Sequence, residues 1–387
     1  MSNHLFLIGA GFNRDLTDSD GINPPLRNDF FKVILNKREF NNEHTKQKLT
    51  PLFEFIQKVW HKSESDLQTH QLNLEEVYTY LQLKSLEPKI NPQFYTDIGE
   101  SLTRVMSSCL KRFEIHCGGN PIYRNFGKIL YNKKPTIITF NYDCIIENLI
   151  ELASMPKGDI PAKFLHEFEV NEVIPDENIL YSHFTWKRPK HYGIEFDMLN
   201  LYQAGPSQYI DRKSFYSLED NALSDWKILK LHGSLNWFRL TNILRYPNLT
   251  NELYKFYNEN KSKTFLLEKN WWNLEPPDFK NWILQPLIIT PVLYKHKDLE
   301  TFPFNDLWRH AYEELLNCKK LVTIGYSFSS TDFNTKMLFL DAFSENSLDE
   351  LIIVNPDRNI PKIVQALTNF SETPTICDNL TEFNNIF

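Results

Sequence analysis

Two short segments of the sequence carry side chains that could catalyse a reaction. TFNYD places the amide of Asn141 two residues before the carboxylate of Asp143, and LHGS carries His232. Among the eleven histidines, His232 is the one that ends an apolar run and precedes a glycine. Imidazole titrates near neutral pH and is the natural general base there, while an amide can orient a water molecule. These residue types predict proton transfer and charge stabilisation at a polar site.

Both residues also have a structural alternative. His232 could be a hydrogen-bonded histidine of the core, and Asn141 could cap a helix that begins near Asp143, since asparagine is a favoured N-cap. A helix cap and a role in chemistry do not exclude each other for Asn141.

The first apolar run of the chain ends in a glycine-rich turn. LFLIGAGFN runs four apolar residues into Gly9, Ala10 and Gly11. Such a turn at the carboxyl end of a buried strand lets backbone N–H groups approach a pyrophosphate. A plain strand-to-helix turn could use the same residues, so this segment alone leaves both interpretations open.

Two later apolar runs end in residues that are suited to binding. Gly325 and Ser327, in IGYS, offer a close backbone approach and a hydroxyl. Asn355, in VNPD, offers an amide for a ribose or a base edge. Asn-Pro-Asp is also a common turn, so Asn355 could be purely structural.

The elements that must position these residues are five apolar runs, each of strand length and rich in Ile, Leu or Val. Such runs are typical of strands buried on both faces of a parallel sheet, and helix-like segments lie between them. The alternation predicts an α/β fold with a Rossmann-like doubly wound parallel sheet, in which ligands bind beyond the carboxyl ends of the strands. We therefore expect all the candidate residues to converge on one crevice. The runs are LFLIGAGFN (5–13), PTIITFNYD (135–143), WKILKLHGS (226–234), LVTIGYSFSSTD (321–332) and ELIIVNPD (350–357).

Helical periodicity marks the segments between these strands. We predict helices over 91–116, 143–152 and 304–318, the last with Leu307, Ala311, Leu315 and Cys318 on one face. NLEEVYTYL (73–81) predicts an amphipathic helix with Asn73 as its cap.

No linker marks a domain boundary, so we predict one domain over 1–387. The sheet core comes from about 1–27, 133–152, 226–240 and 285–360, with a helical insert at about 28–130 and an irregular cap at about 153–225. The cap segment combines many aromatic residues and prolines with weak periodicity, and 241–283 is expected to be irregular.

Composition excludes several classes of protein. With 42% apolar and 14% aromatic residues among its 387, the chain can bury a large core. Its net charge of −7 argues against binding nucleic acid mainly through electrostatic attraction. KRPKH (187–191) is a local basic run that we interpret as a solvated loop. Five scattered cysteines without a C-x-x-C pair favour a reducing cytoplasm and argue against a zinc ribbon. No signal peptide or membrane span is indicated.

Taken together, these motifs resemble those of sirtuins. GAGFN followed by GINPPLRNDFF (21–31), then TFNYD, LHGS, IGYSF and VNPD stand where sirtuin motifs would. The pattern is more similar still to the bacterial sirtuin-like proteins of antiphage defence, whose motifs here read NYD, LHGSLNW (231–237) and IGYSFSSTD (324–332). IITPVLYK (288–295) is also typical of that branch, and the resemblance covers nearly the whole chain.

The resemblance implies cleavage of the nicotinamide–ribose bond of NAD, which depletes NAD in infected cells. It implies that Asn141 orients water and ribose, that His232 acts as base or ribose partner, and that Asp143 faces the nicotinamide carboxamide. It further implies that the dinucleotide is held by Gly9, Ala10, Gly11, Asn13, Gly325, Ser327 and Asn355.

Three departures from the family pattern narrow this expectation. Asn13 replaces a serine, although asparagine can still donate to phosphate or ribose. Arg14 occupies the third glycine position of G-x-G-x-x-G, which argues against hydride transfer. The four-cysteine zinc module of protein-deacylating sirtuins is absent, so no metal is predicted and an acyl-lysine substrate is disfavoured.

Two alternative functions remain open. The same site could serve a protein deacylase or ADP-ribosyltransferase, or the chain could be an NAD- or ADP-ribose-binding regulatory or nuclease subunit. By resemblance we expect a cytoplasmic homo-oligomer controlled by a separate HerA-type ATPase or an Argonaute-like protein, without membrane or sequence-specific nucleic-acid binding.

Overall fold

The chain forms two compact units in a computed structural model. One comprises residues 1–12, 114–288 and 298–387, and the other comprises residues 13–113 and 289–297. The single-domain organisation stays a prediction. The residues that the structure describes are 4–17, 21–26, 28–36, 43–69, 72–87, 91–154, 193–196, 215–216, 227–240, 266–268, 284–293, 295–301, 303–329 and 332–387.

The strands within these ranges are numbered in chain order. They are β1 (His4–Ile8), β2 (Thr136–Thr139), β3 (Gly193–Phe196), β4 (Phe215–Tyr216), β5 (Ile228–Lys230), β6 (Gly233–Leu240), β7 (Leu266–Glu268), β8 (Leu284–Ile288), β9 (Lys320–Ile324), β10 (Glu350–Val354) and β11 (Thr375–Cys377).

Six of these strands form a parallel sheet in the first unit, in the order β11-β10-β9-β1-β2-β5. Numbered among themselves along the chain, they read 6-5-4-1-2-3, which is the order of a Rossmann-like doubly wound sheet. The predicted α/β class is therefore confirmed. The chain proceeds from β1 to one side and from β9 to the other, so the strand order reverses between these two neighbours.

The central strands are apolar because helices cover both faces of the sheet. In β1, Leu5, Phe6, Leu7 and Ile8 are all buried, and β9 and β10 repeat the pattern of one half-buried residue followed by four buried ones. Continuous burial rather than alternation is what a two-sided parallel sheet requires.

The helices of the first unit alternate with these strands. The predicted helix at 304–318 is confirmed: Leu307, Ala311, Leu315 and Cys318 are all buried. The predicted helix at 143–152 is confirmed as Ile145–Ser154.

Among the described helices, none is both long enough and apolar enough to cross a membrane. The other helices of this unit are Pro121–Lys133, Phe333–Glu345, Ile360–Thr368 and Leu380–Ile386.

A second sheet of the first unit has the order β4-β3-β7-β6-β8. Strands β3 and β4 lie within the segment predicted as an irregular cap, and β7 lies within 241–283, where no strand was expected. Most of both segments, including KRPKH, lies outside the described residues.

The second unit is mainly helical. Its helices are Phe30–Asn36, Glu43–Trp60, Glu64–Thr69 and Leu74–Ser85, and Pro92–His116 continues from it into the first unit, whereas His296–Leu299 begins in it. Asn73 caps Leu74–Ser85 as predicted, because its side chain accepts a hydrogen bond of 2.8 Å from the N–H of Glu75. The helix predicted at 91–116 is also confirmed.

The five cysteines are free and buried. Burial, reinforced by the charge of Glu314, raises the pKa of Cys318 to about 12, and burial also raises the pKa of Cys144 well above its usual value. Since the thiolate is the nucleophile, we expect iodoacetamide at pH 8 to leave the native protein unlabelled over minutes, whereas all five thiols react in urea. Intact-mass spectrometry measures the labels, and a stoichiometric adduct on the native protein would contradict this burial.

Candidate functional site

Two glycine turns meet where the strand order of the parallel sheet reverses. The N–H of Gly9 donates to the carbonyl of Ile324 over 2.9 Å, and the N–H of Gly11 donates to the carbonyl of Gly325 over 2.8 Å. The turn after β1 and the turn after β9 are thus joined backbone to backbone.

The side chains that glycine lacks explain this contact. Gly325 has φ +60°, and a Cβ there would lie 2.1 Å from the nitrogen of Phe12 and 2.4 Å from the carbonyl carbon of Gly11. A Cβ on Gly11 would lie 2.7 Å from the carbonyl oxygen of Gly325. Both positions require glycine because the two backbones are in van der Waals contact.

This geometry bears on the predicted phosphate donors. The N–H groups of Gly9 and Gly11 already donate to carbonyls of the neighbouring turn and strand, and the N–H of Phe12 donates to the carbonyl of Gly9. Ala10 is exposed. Phosphate binding by this turn stays a prediction. In the structure, the N–H groups of Gly9 and Gly11 instead join the turn to β9 and to the turn after it.

Asn141 lies beside the first of these turns. Its amide Nδ2 donates to the carbonyl of Gly9 over 3.2 Å, and its backbone N–H donates to Thr139 Oγ1 over 3.1 Å. The residue is 5% exposed, and its Oδ1 is buried with no hydrogen-bond partner in the part of the chain that the structure describes. Because the Nδ2 bond fixes which way the amide points, an acceptor is left for a bound molecule.

Asp143 is occupied by local structure. Its Oδ1 accepts a hydrogen bond of 3.2 Å from the N–H of Ile145, the first residue of the helix that follows, and its backbone carbonyl accepts one of 2.5 Å from Lys230 Nζ. The side chain is buried. Its predicted role opposite a nicotinamide carboxamide stays a prediction, and the hydrogen bond to the start of the helix comes from Asp143.

His232 lies in the turn between β5 and β6, directly after the end of the apolar run that predicted it. It is 6% exposed, and its ring centroid lies 5.0 Å from that of Phe140 and 6.2 Å from that of Tyr142. These two rings flank Asn141 in the chain. The structure therefore brings the predicted imidazole and amide to the same strand ends.

Gly233 determines the backbone of the turn that carries His232. Gly233 was not assigned this role from the sequence. It has φ +81°, and a Cβ there would lie 2.1 Å from the carbonyl oxygen of Leu287. The glycine after the histidine was the available signal. It reflects backbone packing against β8.

Aromatic rings connect the histidine turn to the second glycine turn. The ring of Tyr326 stacks on that of Phe140 at 4.6 Å and 21°, and its hydroxyl donates to the carboxylate of Asp332. Since Phe140 also contacts His232, three rings bridge the ends of β9, β2 and β5.

The remaining predicted residues are placed as follows. Asn355 uses both ends of its amide, with Nδ2 donating to the carbonyl of Tyr326 over 3.3 Å and Oδ1 accepting from the N–H of Asp357 over 3.0 Å. Ser327 is exposed, and Asn13, which begins the second unit, is buried. Binding roles for these three residues stay predictions.

The chemistry available here combines a buried imidazole with a buried amide acceptor. In a site that excludes water, such groups can move a proton and stabilise charge without reorganising. Within the described ranges, no group of three or more His, Cys, Asp or Glu side chains could hold a metal ion.

No family model matches the chain, and no curated protein matches it. Two solved structures are similar to it at 11% identity: a Sir2 homolog–NAD complex, with a TM-score of 0.39 over 99% of this chain and 87% of that chain, and a Sir2 mutant with a p53 peptide and NAD, with 0.27 over 99% and 90%. Both scores are too low to establish a shared fold, so the classification rests on the strand order of the chain itself.

Proposed function

We propose that this protein is an NAD⁺ glycohydrolase, which cleaves the bond between nicotinamide and ribose. The observation that carries the proposal is the buried Asn141 amide, whose Oδ1 has no hydrogen-bond partner among the described residues and lies beside Gly9, where the strand order reverses. Dinucleotides bind at this position in doubly wound sheets. The sirtuin-like motifs NYD, LHGSLNW and IGYSFSSTD support NAD as that dinucleotide.

The reaction needs few groups. Nicotinamide leaves as a neutral molecule because its ring is cationic in NAD⁺, so no strong acid is required, and the ribose passes through an oxocarbenium-like state. Asn141 Oδ1 accepts a hydrogen bond from the attacking water or from a ribose hydroxyl. The water adds to the anomeric carbon and loses a proton to His232, which gives nicotinamide, ADP-ribose and one proton.

In the cell, we propose a cytoplasmic effector of antiphage defence that depletes NAD. The proposal includes a homo-oligomer controlled by a HerA-type ATPase or an Argonaute-like partner. It rests on the motif resemblance alone, and a monomer that is fully active without any partner would argue against it.

The product assay decides the reaction class. We expect the purified protein to convert NAD⁺ to equal amounts of nicotinamide and ADP-ribose, measured by liquid chromatography. His232→Ala should lower the rate by about 10²–10⁴-fold, as expected for loss of a general base. Nicotinamide release that survives this substitution would remove His232 from the mechanism.

The alternative activities predict different products. Turnover that requires an acylated peptide, with transfer of the acyl group to ADP-ribose, would identify a deacylase, and ADP-ribose attached to protein would identify a transferase. Binding of NAD without any turnover would favour a regulatory subunit.

A further inference from the structure

A lysine is buried beneath the candidate site. Lys230 ends β5 with its side chain 0% exposed, and its Nζ lies 2.9 Å from Oε1 of Glu147, whose side chain is 2% exposed. Burial alone would lower the pKa of Lys230, but Glu147, Cys144 and Asp143 outweigh it and raise that pKa above the ordinary value. The ammonium is therefore charged at neutral pH.

The ion pair between Lys230 and Glu147 is not expected to contribute much to the stability of the fold. Desolvating two charges is costly, and replacing a buried pair with apolar residues of similar volume is often neutral or stabilising. The chain neighbours of Lys230, Leu229 in β5 and Leu231 directly after it, are fully buried apolar residues. A charge at this place in the strand therefore calls for a role other than packing.

The second contact of the ammonium supplies such a role. Lys230 Nζ donates to the backbone carbonyl of Asp143 over 2.5 Å, two residues beyond Asn141. Glu147 stands in the first turn of the helix Ile145–Ser154, so the ion pair links the end of β5 to the Asn141–Asp143 loop and to the helix that follows it.

The loop is held at each of its residues. Asn141 is held by its hydrogen bonds to Thr139 and Gly9. The carbonyl of Tyr142 accepts a hydrogen bond of 2.8 Å from the N–H of Leu235. The carbonyl of Asp143 accepts a hydrogen bond from Lys230. Charge-assisted hydrogen bonds are about twice as strong as neutral ones, so the ammonium makes the strongest of these restraints.

We infer that Lys230, held in place by Glu147, is a positioning residue that fixes the Asn141–Asp143 loop for catalysis. It touches no substrate and acts through the carbonyl of Asp143. The inference rests on the proposed function, because Asn141 is the group whose placement it controls.

The test removes the charge pair without leaving an unpaired charge. We expect the double variant Lys230→Met/Glu147→Leu to keep its melting temperature within about 3 °C, because both charges leave together. We expect kcat for NAD⁺ to fall by about 10–100-fold with KM within threefold, since displacement by about 1 Å can cost that much. The single variant Lys230→Met should melt much lower, and adding Glu147→Leu should restore folding but not kcat.

The matched control lies on the same approach to the sheet. Lys227 Nζ and Glu314 Oε1 form a partly exposed pair at 2.5 Å, and Lys227 lies three residues before Lys230. Lys227→Met/Glu314→Leu should keep kcat within twofold.

A second readout does not depend on activity. Hydrogen exchange at the amides of Cys144, Ile145 and Leu235 should be at least tenfold faster in the Lys230→Met/Glu147→Leu variant, with exchange in β9 unchanged. A wild-type protein that never turns over NAD⁺ refutes the proposed function. In that case the hydrogen-exchange rates alone test whether Lys230 restrains the Asn141–Asp143 loop. Unchanged exchange, unchanged kcat in an active protein, or a double variant that unfolds overturns the inference.

Discussion

Gly325→Ala is expected to lower the free energy of unfolding by about 3–5 kcal/mol, because overpacking and a left-handed backbone act together. The new Cβ would meet backbone atoms of Gly11 and Phe12, which cannot rotate away as a side chain could. The turn after β9 would have to withdraw from the turn after β1, and the hydrogen bond from Gly11 would be lost. Urea unfolding followed by circular dichroism measures the effect.

Two other glycines provide matched controls for this prediction. A Cβ on Gly21, at φ +73°, would meet nothing within 4 Å, so Gly21→Ala isolates the backbone strain at about 1–2 kcal/mol. Gly99 lies within the helix Pro92–His116 and also has open space, so Gly99→Ala should stabilise the protein by about 1 kcal/mol. A Gly325→Ala variant as stable as Gly21→Ala would show that the two turns can separate at little cost.

Asn141→Ala is expected to reduce kcat for NAD⁺ cleavage by about 10²–10³-fold, the range seen when one preorganised polar group is removed from an active site. The substitution deletes the open acceptor and the bond from Nδ2 to the carbonyl of Gly9. Loss of that one bond should cost only about 1 kcal/mol of stability. Single-turnover release of nicotinamide, measured with thermal unfolding, separates the two effects.

Asn346 is the control for this substitution. Its Nδ2 donates to the carbonyls of Leu315 and Cys318, and its Oδ1 accepts from Lys319, so its amide is fully used by the fold. Asn346→Ala should destabilise the protein more than Asn141→Ala does and leave kcat unchanged. The opposite ranking of the two variants in kcat would refute a chemical role for Asn141.

The five predicted apolar runs contain β1, β2, β5, β9 and β10 of the parallel sheet, and only its edge strand β11 was missed among the described strands of that sheet. Continuous Ile, Leu and Val identify β1, β2, β9 and β10, because burial on both faces leaves a composition that can be recognised. β11 has three residues, two of them exposed, and so leaves no such pattern. The helices predicted at 91–116, 143–152 and 304–318 agree with the structure to within about two residues, whereas the one predicted at 73–81 extends to Ser85.

The candidate site was less accessible to prediction because its contacts join distant parts of the chain. The apolar runs indicate that Gly9 and Gly325 end strands, but pairing between the two turns depends on strand order. Lys230 stands out as a charge inside the run KILKL, yet its partner Glu147 comes from a helix in another part of the sequence. His232 was expected at the end of a strand, and LHGS did not indicate that the chain continues from there into β6 of the second sheet.

The register of β1 against β9 has a consequence for synthesis on the ribosome. His4 pairs with Lys320 and Ile8 with Ile324. β1 can therefore pair with β9 only after roughly 300 further residues have been synthesised, which takes on the order of tens of seconds. Throughout that time one edge of β1 has no neighbour, and the contact between the glycine turns does not exist. A nascent chain thus completes the candidate site only after Gly325 has emerged, which sets the earliest moment at which the proposed activity can begin.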